Sequence, residues 1–251
     1  MKPTWLTVDS DDLRHIPSSQ GHPTRSKGIP HEGTSLEMKS AMIAFQNWLD
    51  RTQVTLTIFV IADQLDDPVF SDWLTEIISK HSQVTIGCHG LTHRCWSAYP
   101  EDEEGLLSAL VEADIKLHQF AGDSWRPWFR APAGYIAPWM APIIAKAGFE
   151  LDSSVNPSWL VKKKAGPWKD WNAVKKALKD SGLESKPWLC RYSLPTCGPA
   201  LSIPFLKWNA HRAWRKLGPF VEPDEAEATV YWHILDHGKK NGQWKPPLMI
   251  E

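Results

Sequence analysis

The chain has 251 residues, enough for one α/β barrel with a buried core or for two small domains. Its 28 Lys and Arg residues nearly balance 29 Asp and Glu residues, and the net charge of −1 argues against nucleic acid and anionic membrane surfaces as partners. Four cysteines without CxxC spacing argue against a disulfide framework. The first residues are acidic by position 9 and contain no long apolar run, so we expect no secretory signal, no transmembrane segment and a cytoplasmic protein.

From residue 5 onward the sequence alternates between strand and helix patterns. Apolar, β-branched runs predict strands at 5–9, 54–62, 83–89, 128–132, 149–155 and 227–235. After a polar loop at 16–33, a capping box at Thr34–Glu37 predicts the start of a helix, and further helices are predicted at 68–80, 102–120 and 137–148. This order is typical of βα units rather than of a sandwich.

The pattern weakens between residues 156 and 224, where prolines keep the predicted strands short. This stretch is rich in Lys and Trp, and the whole chain has 15 Trp against 4 Tyr and 8 Phe. Trp can stack on a sugar ring, but filling a core is its commoner role. We therefore predict a single domain over 1–251 with an irregular Trp-rich insertion near 156–224.

The carboxyl ends of the predicted strands carry the polar side chains. In barrels built from βα units, reacting groups lie on the loops at this edge. We therefore expect these side chains to converge on one site. In chain order they are Asp9, Asp11, Asp12, His89, His93, Arg130, Asp152, His233 and His237.

His89 and His93 lie four residues apart, directly after a predicted strand. The spacing alone is a weak signal, because ten histidines give about 0.4 such pairs by chance. After a strand, however, residues four apart can face the same side, and a catalytic zinc site would need a third ligand from elsewhere in the chain. A structural zinc site that adds Cys88 and Cys95 is the rival interpretation; it is less favoured because neighbouring strand residues point to opposite faces.

Two further segments offer charged groups for chemistry. In TVDSDD, Asp9 and Asp11 project to the same side of a strand edge while Ser10 points away, so one carboxylate can bind a metal while the other accepts a proton. A solvated acidic turn explains this segment equally well. In FRAPAGY, Arg130 and the turn after it would supply a fixed positive charge and backbone N–H groups, although a simple Pro/Gly turn is the alternative.

Five segments together resemble, in the right order, the motifs of the polysaccharide deacetylase family, also called NodB-homology proteins or family 4 carbohydrate esterases. The segments are LTVD with Asp11, HGLTHR, RAPAGY, GFELDSS and VYWHILD, and they extend from residue 6 to about 237. The resemblance implies the distorted (β/α)7 barrel of that family. Because Ser10 separates the two acids, the first motif is similar to the D-x-D/E branch.

The resemblance also implies roles for individual residues. Asp9 would be the general base, and Arg130 would pair with it and keep it ionised. Asp11, His89 and His93 would bind a divalent metal, Zn²⁺ in the first place, with Co²⁺ or another divalent ion as an alternative.

The remaining implied roles concern the transition state. The backbone N–H of Ala133 would donate to the oxyanion, and Asp152 would orient the histidine that acts as the catalytic acid. His233 is favoured for that acid because YWHILD is similar to the Y-x-H-P-W-E form of the D-x-E branch, whereas His237 fits the general L-x-H pattern.

The implied activity is removal of an N-acetyl group from an amino sugar in a polysaccharide, an oligosaccharide or a lipid-linked glycan. One alternative is an amidohydrolase acting on a non-sugar amide such as a ureide, as in allantoinase. A non-catalytic carbohydrate-binding barrel is the alternative from another class, although it would need neither a metal nor an acid and a base.

Overall fold

The computed structural model describes residues 1–15, 21–23, 32–167 and 169–238. Most of the predicted polar loop at 16–33 and the polar C-terminal residues therefore lie outside the described ranges. The strands are β1 (Lys2–Asp9), β2 (Leu56–Val60), β3 (Val84–Cys88), β4 (Trp125–Phe129), β5 (Leu151–Asp152), β6 (Glu184–Ser185), β7 (Cys190–Arg191), β8 (Leu194–Pro195), β9 (Leu217–Phe220) and β10 (Ala228–His233). The helices are α1 (Leu36–Thr52), α2 (Pro68–Lys80), α3 (Glu103–Ala121), α4 (Met140–Lys146), α5 (Trp171–Asp180) and α6 (Pro204–Trp214).

Eight of the strands form one parallel sheet. Its order is β10-β1-β2-β3-β4-β5-β6, with β9 also paired to β1, while β7 and β8 form a small antiparallel hairpin. Every residue of β2 and β3 is buried, because helices cover the outside of the sheet and side chains fill its inside. The βα barrel predicted from the sequence is confirmed.

The two edges of the curled sheet meet through very few bonds. Trp188, three residues after β6, forms a parallel bridge to Thr229 of β10. The next residue, Leu189, donates its backbone N–H to the Thr229 carbonyl at 2.8 Å. This short contact is the distorted part of the barrel, where strands of two residues replace full-length ones.

The start of α1 differs by one residue from the predicted capping box. The N-cap is Ser35, whose hydroxyl accepts a hydrogen bond from the Met38 backbone N–H at 3.0 Å. The Thr34 hydroxyl instead donates to Asp67 Oδ2 at 2.6 Å. The predicted cap was therefore wrong by one residue, because Ser35 and not Thr34 accepts from the first turn of the helix.

The segment 156–224 is more regular than its sequence predicts, because it contains α5 and α6. Helix α5 begins at the N-cap Asp170, whose side chain accepts from the Asn172 backbone N–H at 2.8 Å. Its buried residues Trp171, Val174 and Leu178 lie on one helical face. The lysines between them concealed this spacing.

Trp side chains in this segment divide into two groups. Trp171, Trp188 and Trp214 are buried, whereas Trp159 and Trp208 are more than half exposed. Residue 168 is outside the described residues. Within the described ranges, none of the helices combines the length and apolar composition that a membrane crossing requires.

Candidate metal and catalytic site

The parallel register brings the predicted site residues to one edge of the sheet. Asp9, the last residue of β1, lies opposite His233, the last residue of β10. His89 and Arg130 are the first residues after β3 and β4, two strands that pair with each other. Residues far apart in sequence therefore meet because β10, β1, β3 and β4, four strands of one parallel sheet, end at the same edge.

Asp11, His89 and His93 form a compact group of potential metal ligands. One ligand atom from each lies within 4.8 Å of the others, and Asp9, Asp11 and His233 form a second, overlapping group. The Nε2 atom of His93 is 2.5 Å from Asp11 Oδ1, and Nε2 of His89 is 3.4 Å from Asp11 Oδ2. Burial alone would raise the pKa of Asp11, but the two imidazoles outweigh burial and hold this pKa well below its ordinary value.

The same group contains buried polar atoms without hydrogen bonds. Asp11 Oδ2 and both ring nitrogens of His93 make no hydrogen bond among the described residues, even though His93 Nε2 lies close to Asp11 Oδ1. Buried polar atoms of this kind are rare, and a bound ion is one of the explanations that satisfies them. A carboxylate and two imidazoles also match the ligand types of a catalytic zinc site.

His89 is held in the orientation that a metal ligand needs. Its Nδ1 lies 2.8 Å from the backbone carbonyl of Arg130. Because a carbonyl can only accept, Nδ1 must carry the proton, which leaves the lone pair on Nε2 facing Asp11. This arrangement is usual for metal-binding histidines, whose second nitrogen donates to a carbonyl or carboxylate.

The predicted contact between Arg130 and Asp9 is present. Nη1 of Arg130 donates to Asp9 Oδ1 at 2.7 Å, while Nε donates to the Ser153 carbonyl at 3.0 Å and Nη2 to the Ser153 hydroxyl at 2.8 Å. The guanidinium lies 4.2 Å from the ring centroid of Phe59 and is fully buried. A buried cation fixed by three hydrogen bonds gives Asp9 a permanent ionic partner.

Asp12 has a structural role, which distinguishes it from Asp11. Its Oδ1 accepts from the Ser35 hydroxyl and from the Leu13 backbone N–H, both at 2.5 Å, and its Oδ2 accepts from the Ser35 backbone N–H at 2.9 Å. Asp12 therefore ties the loop after β1 to the start of α1. Of the two carboxylates, Asp11 is the one that reaches the histidines.

His233 contacts a different carboxylate from the one predicted. Its Nδ1 is 3.3 Å from Asp236 Oδ2, which also accepts from the His233 backbone N–H at 3.0 Å. Burial alone would lower the pKa of His233, but Asp236 and the charges of Asp11 and Asp9 outweigh burial and raise this pKa to about 9. The imidazole is therefore positively charged at neutral pH.

Asp152 does not orient His233, and this part of the prediction was wrong. Its Oδ2 accepts from the Ser154 hydroxyl at 2.5 Å and its Oδ1 from the Ser154 backbone N–H at 3.0 Å. The Ser154 oxygen in turn accepts from the Ala131 backbone N–H at 2.8 Å. Asp152 thus supports the segment that carries Arg130, and burial raises its pKa to about 6 despite these hydrogen bonds.

His237 lies away from the ligand groups. Its Nε2 accepts from Trp232 Nε1 at 2.9 Å, and its ring packs against Phe45 and Trp48 of α1 at centroid distances of 5.1 and 5.3 Å. It anchors α1 to the chain that follows β10. Of the two histidines that the sequence left open, His233 is the one at the site.

Ala133 occupies a tight turn beside the site. Within the short 3-10 helix Pro132–Gly134 its backbone is left-handed, with φ 50° and ψ 18°. Its carbonyl accepts from Lys164 Nζ at 2.6 Å, so a residue of the Trp-rich segment holds the turn. The role of the Ala133 N–H as an oxyanion donor remains a prediction.

The structure does not favour the rival zinc site with cysteines. Neither ligand group of the described residues includes a cysteine sulfur. Cys88 is fully buried, and burial raises its pKa to about 12, which disfavours the thiolate that zinc binds. All four cysteines are free.

Sequence reasoning missed the residues that support the site. Ser35, Ser153, Ser154 and Asp236 all make hydrogen bonds to predicted site residues. Their partners are set by tertiary contacts, and serine is too common in turns to single out. Of these four residues, only Asp236 could have been inferred from the sequence, because it follows His233 by three residues within the matching motif.

Comparison with known proteins gives matches at the level of structure alone. No protein-family model matches the chain, and no curated protein is similar to it in sequence. An inferred polysaccharide deacetylase of Mycobacterium smegmatis superposes with a TM-score of 0.55 at 14% identity, covering 93% of this chain and 78% of that one. The PuuE allantoinase superposes with a TM-score of 0.53 at 13% identity, covering 95% and 79%.

A pseudoenzyme of the CE4 family from Bacillus anthracis also matches. Its TM-score is 0.47 at 13% identity, and the match covers 93% of this chain and 55% of that one. The chain therefore spans little more than half the length of that protein. The likeness to the inferred deacetylase and to the allantoinase shows a shared fold, and this is the barrel that the five sequence motifs predict.

Proposed function

We propose that the chain is a metal-dependent hydrolase that removes the N-acetyl group from an amino sugar in a polysaccharide, an oligosaccharide or a lipid-linked glycan. The observation that carries the proposal is the meeting of three kinds of group at one sheet edge. These are a ligand triad (Asp11, His89 and His93), an ion-paired carboxylate (Asp9, with Arg130) and a charged imidazole (His233). We call this set of residues the catalytic edge.

The triad suits a borderline divalent ion. One carboxylate oxygen and two imidazole nitrogens are the protein ligands of many catalytic zinc sites, and Co²⁺ accepts the same donors. A bound ion would supply Lewis-acid activation of the amide carbonyl and of the attacking water. Three protein ligands leave room for substrate and water.

Asp9 is placed to act as the general base. Arg130 donates to Oδ1 at 2.7 Å, and Oδ2 remains to accept a proton from the attacking water. Since Arg130 is buried and bonded to Ser153 as well, Asp9 cannot turn away. The water adds its oxygen to the carbonyl carbon, and its proton goes to Asp9.

His233 is placed to act as the general acid. With a pKa of about 9 it carries a proton at neutral pH, and Asp236 fixes its ring. It gives this proton to the leaving nitrogen as the C–N bond breaks, so the products are acetate and a free amine. The Ala133 N–H would donate to the oxyanion, in a turn held by Lys164 and supported through Asp152 and Ser154.

Acetate release from zinc-loaded protein tests the proposal. The substrates are N-acetylglucosamine oligomers, lipid-linked N-acetyl amino sugars and, for the non-sugar alternative, allantoin. We expect acetate from at least one sugar and no hydrolysis of allantoin. Hydrolysis of allantoin alone would replace the proposal with a ureide hydrolase, and bound zinc without hydrolysis of any amide would replace it with a carbohydrate-binding barrel.

A further inference from the structure

The net charge of −1 conceals a strongly basic stretch. Between Glu184 and Glu222 the sequence has no Asp or Glu and contains three lysines and three arginines. These are Lys186, Arg191, Lys207, Arg212, Arg215 and Lys216. Lys186 is paired with Glu184, but the other five form no ion pair with a carboxylate in the part of the chain that is described.

Exposed aromatic side chains cluster in the same region. Among the described residues, the four large aromatics that are mostly or half exposed are Tyr192 at 77%, Phe205 at 60%, Trp159 at 57% and Trp208 at 51%. Ile203 adds an aliphatic side chain that is 52% exposed. Exposed apolar residues elsewhere among the described residues are Met1 and aliphatic side chains scattered over α1, α2 and α3.

Direct contacts join the aromatic and basic side chains into one surface. Arg191 lies 4.4 Å from the ring centroid of Tyr192 and donates to Asn209 of α6 at 2.9 Å. Arg212 lies 4.4 Å from the ring centroid of Trp208, which stacks on Phe205 at 6.1 Å. The cations therefore stand beside the rings rather than on a separate face.

The surface ends in a cavity with only positive charge. The cavity measures about 520 Å³ and lies where α6 meets β9. Its charged lining residues are Lys2, Arg191, Arg212, Arg215 and Lys216. No carboxylate is among the lining residues, so the five cations repel one another, and a bound anion would reduce this repulsion.

We propose that this surface docks onto an anionic membrane. We call it the basic aromatic face; its residues are Trp159, Tyr192, Ile203, Phe205, Trp208, Arg191, Lys207, Arg212, Arg215 and Lys216. Aromatic rings sit at the depth of lipid headgroups, and lysines and arginines beside them attract anionic lipids. A neutral glycan would use the rings but has no need for the cations, and a basic surface of this kind suits lipid phosphates.

The two ends of the face lie at different levels of the sheet, because its cavity adjoins Lys2 at the start of β1 whereas Asp9 of the catalytic edge ends that strand. Trp159 belongs to the short 3-10 helix Trp159–Ala165, and Lys164 in that helix binds the Ala133 carbonyl. This helix links one end of the face to the turn beside the site, while the cavity lies at the opposite edge of the sheet. Membrane binding by the face does not depend on the chemistry of the catalytic edge.

Vesicle co-sedimentation of the full chain tests the docking. The probes are vesicles of phosphatidylcholine and vesicles with about one third phosphatidylglycerol. We expect binding to the anionic vesicles at least about tenfold tighter than to the neutral ones, weakening as salt is added. Equal binding to both, or no binding to either, would overturn the proposal.

Two double variants separate the contributions of the face. Phe205→Ser with Trp208→Ser removes the rings, and Arg212→Glu with Arg215→Glu reverses two charges. We expect each to weaken binding to anionic vesicles by about tenfold or more. The control Val111→Ser with Ile115→Ser, at 40% and 49% exposed positions of α3, should leave binding unchanged, and Lys39→Glu on α1 is the charge control.

Further measurements distinguish membrane docking from glycan binding and from catalysis. A soluble anionic polysaccharide, heparin, serves as the competing probe; if it binds through the same residues while vesicles do not, the face is a glycan site and the proposal falls. Asp9→Asn should retain vesicle binding, and Phe205→Ser with Trp208→Ser should retain acetate release from soluble oligomers. Loss of vesicle binding in Asp9→Asn would show that the two regions are not independent and would contradict the proposal.

Discussion

The catalytic edge and the basic aromatic face carry charge in opposite ways. At the catalytic edge the cation Arg130 is fully buried, and each of its three side-chain nitrogens donates a hydrogen bond, one of them to Asp9. On the face, Arg212 and Arg215 are exposed and have no carboxylate partner among the described residues. Buried charge must be satisfied within the fold, whereas exposed unpaired charge of one sign is available to something outside it.

This difference explains why the sequence alone indicated the catalytic edge but not the basic aromatic face. The catalytic edge consists of short motifs, because strand ends place a few side chains next to each other. The face has no motif, since it depends on which side chains of α6 and the β7–β8 hairpin remain uncovered. The net charge of the chain argued against an anionic membrane partner only because acidic residues elsewhere cancel the local excess.

Asp9→Asn should give the largest effect and break the catalytic edge alone. Asparagine keeps the shape but cannot take a proton from water, so we expect turnover to fall by about a thousandfold. The measurement is kcat for acetate release at a temperature where the variant is folded, with zinc content as the control that should not change; the unfolding temperature should fall, because buried Arg130 loses its counter-charge. Turnover close to that of the original protein would rule out Asp9 as the base.

His93→Ala should abolish tight zinc binding. Loss of one of three ligands lowers affinity by more than about a hundredfold, measured by calorimetric titration of zinc into metal-free protein. The matched control is His118→Ala on the exposed side of α3, which should bind zinc as before. Equal affinity in both variants would mean that the triad is not the metal site.

Asp12→Ala should lower stability without removing a catalytic group. It leaves the Ser35 hydroxyl and two backbone N–H groups without their acceptor, and we expect a loss of about 1–3 kcal/mol in the free energy of unfolding. Urea denaturation measures this loss. Asp66→Ala is the control, because the Asp66 side chain is 68% exposed and its ion pair with Lys116 contributes little. Zinc affinity lost in Asp12→Ala, with stability unchanged, would exchange the roles of Asp11 and Asp12.

Asp236→Asn should produce the smallest but most specific change. His233 acts as an acid only while protonated, so kcat/KM falls as pH rises through its pKa of about 9. Loss of the Asp236 charge destabilises the imidazolium, lowers that pKa and moves the alkaline limb down by about one pH unit. Asp152→Asn should leave the limb in place. A limb that moves in Asp152→Asn and not in Asp236→Asn would restore the assignment made from the motif.

The sequence predicted the fold, and it indicated which polar side chains lie at the strand ends, for physical reasons. Nearly unbroken β-branched runs such as 54–62 have few alternatives to a buried strand, and parallel strands must end at a common edge. The sequence could not predict the side-chain contacts that are set by the tertiary structure. Ser35 rather than Thr34 caps α1 while Thr34 donates to Asp67, and Asp236 rather than Asp152 contacts His233.

Zinc titration with acetate release as the readout tests the central claim most directly. Metal-free protein is mixed with N-acetylglucosamine oligomers or a lipid-linked N-acetyl amino sugar, and zinc is added in steps. The account predicts acetate release that rises up to about one zinc ion per chain and is absent in Asp9→Asn, although that variant binds the same amount of zinc. Release that does not depend on zinc, or zinc binding to both proteins without any release, would contradict it.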